Sequence, residues 1–264
     1  MAWAATSDGI LVLLGALLAL GLALAERIGS FIFRRLNRIG RAEEAPAPRI
    51  GHVLTSTFGL LALLVGFSFG IALNRYDTRR SDVVAEANAI STAHYRASFV
   101  ADEYGAALRA RLIAYARHRL AYGRAGPLDR PGLERIAVHL RRDIADAGKS
   151  LKPVAQTPLG ASIVASINEV LDLGVQREAN MRAQMPSAVF AVLIGLALLG
   201  AGTMGFAYPL AGVMRQGSSL VLFCLLATVI AVILDLDRPA RGSVTVDQSP
   251  MEQLTKEFGL LGDT

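Results

Sequence analysis

The sequence LTSTFGLLALLVGFSFGIALN, residues 54–74, is an apolar run about as long as the roughly 20 residues that a helix needs to cross a bilayer. The charged sequence RYDTRRSDVVAEANAI, residues 75–90, follows it directly. No Pro or Gly occurs between Gly70 and Gly105, so nothing in this stretch breaks a helix. The stretch therefore predicts a helix that leaves the membrane and continues in water, and its soluble part is predicted to run unbroken over residues 78–122.

The composition indicates a membrane protein with one soluble region. The chain has 264 residues, of which 53% are hydrophobic, and its mean hydropathy is +0.42. Such a chain is too apolar for an ordinary soluble domain and too charged to be membrane throughout. Its net charge of +5 suits an anionic lipid surface or an anionic solute. We predict no nucleic-acid partner, because the basic residues flank apolar runs and no recognised reading motif accompanies them.

Four apolar runs predict four transmembrane helices, at residues 9–25, 54–74, 188–213 and 219–234. The first run resembles a cleaved signal peptide, but the segment before it has Asp8 and no Lys or Arg, which favours an uncleaved span. Arginines flank the spans on both sides in similar numbers, so the positive-inside rule leaves the topology open. The predicted divisions are a first span with a basic loop (1–51), a second span (52–74), a helical soluble domain (75–186), the third and fourth spans (187–236) and a C-terminal tail (237–264).

The rest of the soluble region also reads as helical. A turn at residues 123–132 is followed by a short amphipathic helix over residues 133–147. Thr157 and Pro158 are typical of a helix start, with Thr as the N-cap and Pro at the first helical position, and this helix is predicted to reach Met185. No run alternates long enough for a sheet, so the sequence predicts a helical bundle continuous with the spans.

Two groups of charged residues are candidates for ion pairs or for a metal. Asp235 and Asp237 end the fourth span beside Arg238, where they can pair with arginines or hold a hard cation. Two carboxylates fall well short of the six or more oxygens that calcium takes, so pairing is favoured. Glu86 is predicted to pair with Arg79 or Arg80. No cofactor is predicted apart from a divalent cation at such a group.

Several sequence blocks resemble a bacterial family with a bestrophin-like domain, distantly similar to bestrophin anion channels. The resemblance covers residues 52–254 and is carried by GFSF (66–69), EANAI (86–90), LDLDRP (234–239) and QSPM (248–251). It implies an all-α integral membrane protein of four spans, a pentamer whose second span lines the pore. It also implies an inner-membrane location with the soluble domain and both termini in the cytoplasm. The acidic cluster that binds calcium in animal bestrophins is not evident beyond Asp235, Asp237 and Asp247.

With that resemblance, the second span becomes a candidate pore helix. One face carries apolar residues at steps of three and four, and a hydrophobic ring can gate a pore by dewetting. A GxxxG motif lets neighbouring helices approach closely, and arginines at the cytoplasmic mouth raise the local anion concentration. Ordinary helix packing explains the same pattern. The pore candidates are Leu60, Leu64, Phe67 and Ile71; the packing glycines are Gly66 and Gly70; the mouth arginines are Arg75, Arg79 and Arg80.

Two classes of function remain open. The first is an oligomeric ion channel, with inorganic anions such as chloride as the permeant species. The second is a non-conducting membrane scaffold or sensor whose long helical domain binds a protein partner. An enzyme is not predicted, because the sequence contains no GxSxG, HExxH, P-loop or dinucleotide fingerprint.

Overall fold

The computed structural model describes residues 2–38, 47–126, 128–151, 154, 156–210, 218–238 and 244–262. These residues form helices and no strand, which confirms the predicted all-α fold. Four stretches of them are long and apolar enough to cross a membrane, one around each predicted span. The helices are α1 (Ala2–Arg38), α2 (Ala47–Ser98), α3 (Glu103–Arg124), α4 (Arg130–Ser150), α5 (Pro158–Arg182), α6 (Ser187–Leu210), α7 (Ser218–Asp237) and α8 (Ser249–Gly262).

The chain divides into two compact units. The first, here called the membrane unit, contains α1, the part of α2 up to Asn74, α6 and α7. Within it α1 packs against α6 and α7. Part of the predicted basic loop between the first two spans, and residues 211–213 of the predicted third span, lie outside the described residues. The core of the membrane unit consists of Leu22, Leu61, Leu193, Ala197, Ala201, Met204 and Phe223.

Glycines bring α1 and α6 into backbone contact. A Cβ added to Gly29 would collide with the carbonyl of Gly202, and one added to Gly205 would collide with the backbone of Glu26. The Ser30 hydroxyl donates a hydrogen bond of 2.8 Å to the Gly205 carbonyl across the same crossing. Small residues permit this approach, as is common between membrane helices.

The second unit, here called the soluble unit, contains the rest of α2 from Arg75, together with α3, α4, α5 and α8. The described residues of these helices bury one apolar core. The core includes Val83, Ala87, Ile90 and Ala97 of α2, Leu108, Leu112 and Tyr115 of α3, Ile144 of α4, Ile163, Ile167 and Val170 of α5, and Met251, Leu254 and Phe258 of α8.

The prediction of one helix over residues 78–122 is wrong, because α2 ends at Ser98 and α3 begins at Glu103. Polar groups satisfy both helix ends at the break. The Asp102 side chain caps α3 by accepting a hydrogen bond of 2.9 Å from the Gly105 N–H. Arg109 donates to the Ala97 carbonyl, 3.0 Å away, at the end of α2. Ala101 and Tyr104, which lie at this break, are exposed.

The other helix boundaries differ less from the predicted ones. Thr157 is the predicted N-cap of α5, and its hydroxyl accepts a hydrogen bond of 3.1 Å from the Gly160 N–H. The helix ends at Arg182, however, and residues 183–186 separate it from α6. The predicted helix over residues 133–147 is longer, at Arg130–Ser150. The predicted C-terminal tail contains α8, whose apolar side chains belong to the core of the soluble unit.

Candidate functional site

The pore candidates of α2 lie on a face that the rest of the described chain leaves largely uncovered. Leu60 and Ile71 are each 49% exposed and Phe67 is 61% exposed, whereas Leu64 is partly buried. Leu61 lies about 100° around the helix from Leu60. It is only 2% exposed and joins the core of the membrane unit. Within the membrane unit, α2 therefore packs with one side and presents an apolar surface on the other.

Gly66 and Gly70 lie beside this surface, in the same membrane portion of α2. A Cβ added to either would meet no atom of the described chain within 4 Å. The close helix approach predicted from GxxxG is thus not made inside one protomer. The membrane unit makes its close crossing between α1 and α6 instead.

The three mouth arginines have different environments in the soluble unit. Arg79 is buried, and its guanidinium donates to the carbonyls of Asn180 at 3.2 Å and Ala183 at 2.7 Å. It therefore caps the C-terminus of α5, where a cation complements the helix dipole. This contradicts the prediction that Arg79 attracts solvent anions, because its donors face the protein.

Arg75 and Arg80 have environments that differ from that of Arg79. Arg75 is partly buried, and its Nη1 atom is buried with no hydrogen-bond partner among the described residues. Arg80 is exposed and lies near Asp247. Hydrogen bonds from Ser249, with a smaller contribution from Arg80, lower the pKa of the Asp247 carboxyl. Arg75 thus has a buried donor without a hydrogen-bond partner among the described residues, and Arg80 is open to solvent.

Glu86 lies at the centre of a buried network of charged side chains in the soluble unit. Its carboxylate is 2.6 Å from Arg119 Nε, 2.7 Å from Arg177 Nη1 and 3.0 Å from the Tyr115 hydroxyl, which donates to it. The predicted partners, Arg79 and Arg80, were wrong, because the two arginines that reach Glu86 come from α3 and α5. Buried charges of this kind require partners.

A second carboxylate extends the network. Glu178 accepts from Arg119 Nη1 at 2.9 Å and from both terminal nitrogens of Arg141, at 2.7 and 3.2 Å. Arg177 Nη2 donates to the side-chain carbonyl of Gln248 at 2.7 Å. Arg119 also lies over the Tyr122 ring, 4.7 Å from its centroid, which favours the cation. Neutral acceptors and an aromatic face thus complement the arginines.

The network fixes protonation states as well as positions. Burial, together with the neighbouring Glu86 carboxylate, raises the pKa of the Tyr115 hydroxyl well above its ordinary value, so it remains a donor. Burial alone would lower the pKa of Arg119, but Glu86, Tyr115 and Glu178 outweigh it and the pKa is raised. Tyr115 therefore stays protonated and Arg119 stays charged at neutral pH, as suits a structural element.

Asp235 and Asp237 bind backbone groups. Both carboxylate oxygens of Asp237 lie 3.0 Å from the Met185 N–H, and Asp235 accepts from the Val244 N–H at 2.9 Å. The Arg238 side chain is exposed. Among the described residues, no group of three or more His, Cys, Asp or Glu side chains is placed to hold a metal ion.

We expect charge reversal at Asp237 to impair assembly more than ion selectivity. In Asp237→Lys the Met185 N–H loses its acceptor, and a buried unmade hydrogen bond costs about 1–3 kcal/mol. The measurement is the fraction of monodisperse protein in size-exclusion chromatography, with the exposed Asp172→Lys as the control. Normal oligomers with a changed ion preference would contradict this expectation and assign Asp237 to a functional site.

An all-helical chain with four membrane-length apolar helices and a second, polar helical unit is a multi-pass membrane protein. A family model described as the bestrophin-like domain matches residues 12–251, and the chain belongs to this family. The resemblance found in the sequence blocks is thereby confirmed. No curated protein matches the sequence.

The fold is also similar to solved structures. Crystal structures of a bacterial bestrophin homologue from Klebsiella pneumoniae align with a TM-score of 0.64. One, which carries a point mutation, is 13% identical and covers 91% of this chain and 96% of its own. Another, solved by zinc phasing, is 14% identical over the same shares. At this identity the likeness establishes a common fold.

Sequence reasoning did not find Arg119, Arg177, Glu178 or Gln248. One signal was available for Arg119, which lies four residues after Tyr115 and three before Tyr122, on the buried side of α3. A charged residue at such a position must meet an opposite charge. Gln248 lies in the predicted C-terminal tail, for which the sequence predicts no contact with a core.

Proposed function

We propose that this chain assembles into an oligomeric membrane channel that conducts anions such as chloride, with the apolar face of α2 directed at the pore. The observation that carries the proposal is the exposure of Leu60, Phe67 and Ile71 in a helix whose other side is packed. Several copies of this face around an axis would form stacked hydrophobic rings. Such rings gate by dewetting, and Phe67 supplies the bulkiest of them.

The preference for anions is supported by two arginines that follow the membrane portion of α2. Arg75 has a buried Nη1 without a hydrogen-bond partner among the described residues, and Arg80 is exposed. Since Arg75 is only partly buried and Arg80 is exposed, both charges act on nearby solvent and raise the local anion concentration. Arg79 is excluded from this role by its contacts with α5.

The assembly and orientation follow the bestrophin resemblance. We propose a pentamer in an inner membrane, with the soluble unit and both termini in the cytoplasm. Gly66 and Gly70 are open within the protomer and would then be available to a helix of a second copy.

Ion flux into liposomes tests the proposal. Purified protein of known oligomeric mass is reconstituted, and chloride flux is compared with potassium flux under defined gradients. Saturable chloride flux from a ring-sized oligomer is the expected result. Absence of flux from a folded monomer or dimer would favour the non-conducting scaffold or sensor, and a preference for potassium would overturn the anion assignment.

We expect Phe67→Ala to increase the single-channel conductance or the open fraction, because it removes the bulkiest side chain from the proposed constriction. Planar-bilayer recording provides the measurement. Phe69→Ala is the matched control, since Phe69 lies on the same helix but off the proposed face. Unchanged currents from a correctly assembled Phe67→Ala protein would remove Phe67 from the pore.

A further inference from the structure

The membrane unit contains a cleft of about 540 Å³ between α1, α2 and α6. Its volume falls within the roughly 300–1,000 Å³ typical of ligand pockets. The walls are almost entirely apolar, and the hydroxyl of Thr203 within it is already bonded to the Leu199 carbonyl. Gly29 and Gly202 line the part of the cleft where α1 and α6 touch. The part of a ligand that lies in this cleft must therefore be a hydrocarbon chain.

The cleft opens away from the core of the membrane unit. Val53 of α2 is 57% exposed and Leu199 of α6 is 60% exposed, and both line it. At membrane depth, an apolar opening of this kind is in contact with lipid chains rather than with water.

Basic side chains follow the cleft along α1. Arg35 comes three residues after Ile32, a lining residue, so the two share one face of the helix. Arg34 and Arg38 are neighbours in the same final turns, and all three arginines are exposed. No acidic residue occurs between Arg27 and Arg38. An elongated ligand with its chain in the cleft would thus carry its other end into a cationic region.

We propose that the cleft binds one acyl chain of an anionic phospholipid whose phosphate is held by Arg35 with Arg34 and Arg38. Guanidinium groups match phosphate geometry, which makes arginine the usual residue for this contact. A second copy of this chain is the less favourable occupant, because the rim is basic and the chain itself has a net charge of +5. The charge of an anionic lipid complements this basic rim, which favours the lipid over a second copy of the chain.

Native mass spectrometry of the delipidated full-length protein tests the proposal. The protein is titrated with phosphatidylglycerol and with phosphatidylcholine of the same acyl chains. We expect phosphatidylglycerol to bind more tightly, and Arg35→Gln to weaken it about fivefold while leaving phosphatidylcholine unchanged. Arg142→Gln, an exposed change in the soluble unit, is the charge control.

A second variant tests the cleft itself. Val53→Trp fills the cleft and is expected to abolish phosphatidylglycerol binding. Leu20→Trp, at an exposed position of α1 outside the cleft, is the control and is expected to have no effect. Equal binding of the two lipids, or unchanged phosphatidylglycerol binding in Val53→Trp, would overturn the proposal. Cross-linking of a Val53→Cys variant to a second copy of the chain would assign the cleft to an interface between subunits instead.

Discussion

Replacement of Glu86 by Ala is expected to lower the free energy of unfolding of the soluble unit by about 3–5 kcal/mol. The variant leaves Arg119 and Arg177 buried without the carboxylate that lies within 2.7 Å of both. Uncompensated buried charge is costly because the interior does not solvate it as water does. Thermal unfolding in detergent, followed by scanning fluorimetry, provides the measurement. Glu169→Ala, at an exposed position of α5, is the control.

Two further variants separate charge from packing. Glu86→Gln keeps the shape and an acceptor for the Tyr115 hydroxyl but removes the charge. If it is as stable as the wild type, the ion pairs do not explain the effect. A double variant, Glu86→Leu with Arg177→Met, removes both partners of the Glu86–Arg177 ion pair. It is expected to recover part of the stability lost by Glu86→Leu alone.

Replacement of Gly205 by Leu is expected to abolish monodisperse protein by forcing α1 and α6 apart. Even the Cβ of the new side chain would overlap the Glu26 backbone, which cannot rotate away as a flexible side chain can. Overpacking lowers the free energy of unfolding by about 1–3 kcal/mol in many cores. We expect a clash with backbone to cost the upper value of this range or more. Size-exclusion chromatography and thermal stability are the measurements.

The matched control is Gly195→Leu, which lies on α6 too. A Cβ at Gly195 meets nothing of the described chain within 4 Å, so the protomer is expected to tolerate the change. If both variants behave alike, the α1–α6 crossing is not the cause. A Cβ at Gly29 would also collide with α6 backbone, so this pair tests whether such glycines, rather than the GxxxG of α2, set the close helix approach within one chain.

The sequence predicts the spans well because a bilayer demands a long apolar run, a property of contiguous residues. It also predicts the Thr157 cap, which depends on neighbours three residues apart. The break between α2 and α3 was missed because no Gly or Pro lies there before Gly105. It depends on the Asp102 cap and on Arg109 reaching back to Ala97, and neither contact interrupts the helical pattern of the sequence.

The partners of Glu86 were beyond sequence reasoning for a different reason. Arg79 and Arg80 are its neighbours along α2, but Arg119 and Arg177 reach it from other helices. Which charges meet across a core depends on the packing of several helices, and the periodicity of one helix does not specify it. The apolar face of α2 presents the opposite case. Its residues follow from periodicity, but the surface proposed to cover it belongs to other copies of the chain, which the periodicity of one helix does not describe.

The position of α8 in the soluble unit has a consequence for biosynthesis. Ribosomes make α8 after α7, yet Met251, Leu254 and Phe258 fill the core formed by α2 to α5. Four helices of that core are thus translated, and two further membrane helices inserted, before the segment that completes it exists. Nascent chains must keep this apolar surface from aggregating in the interval, and a premature stop codon before Gln248 would release a chain that can never close it.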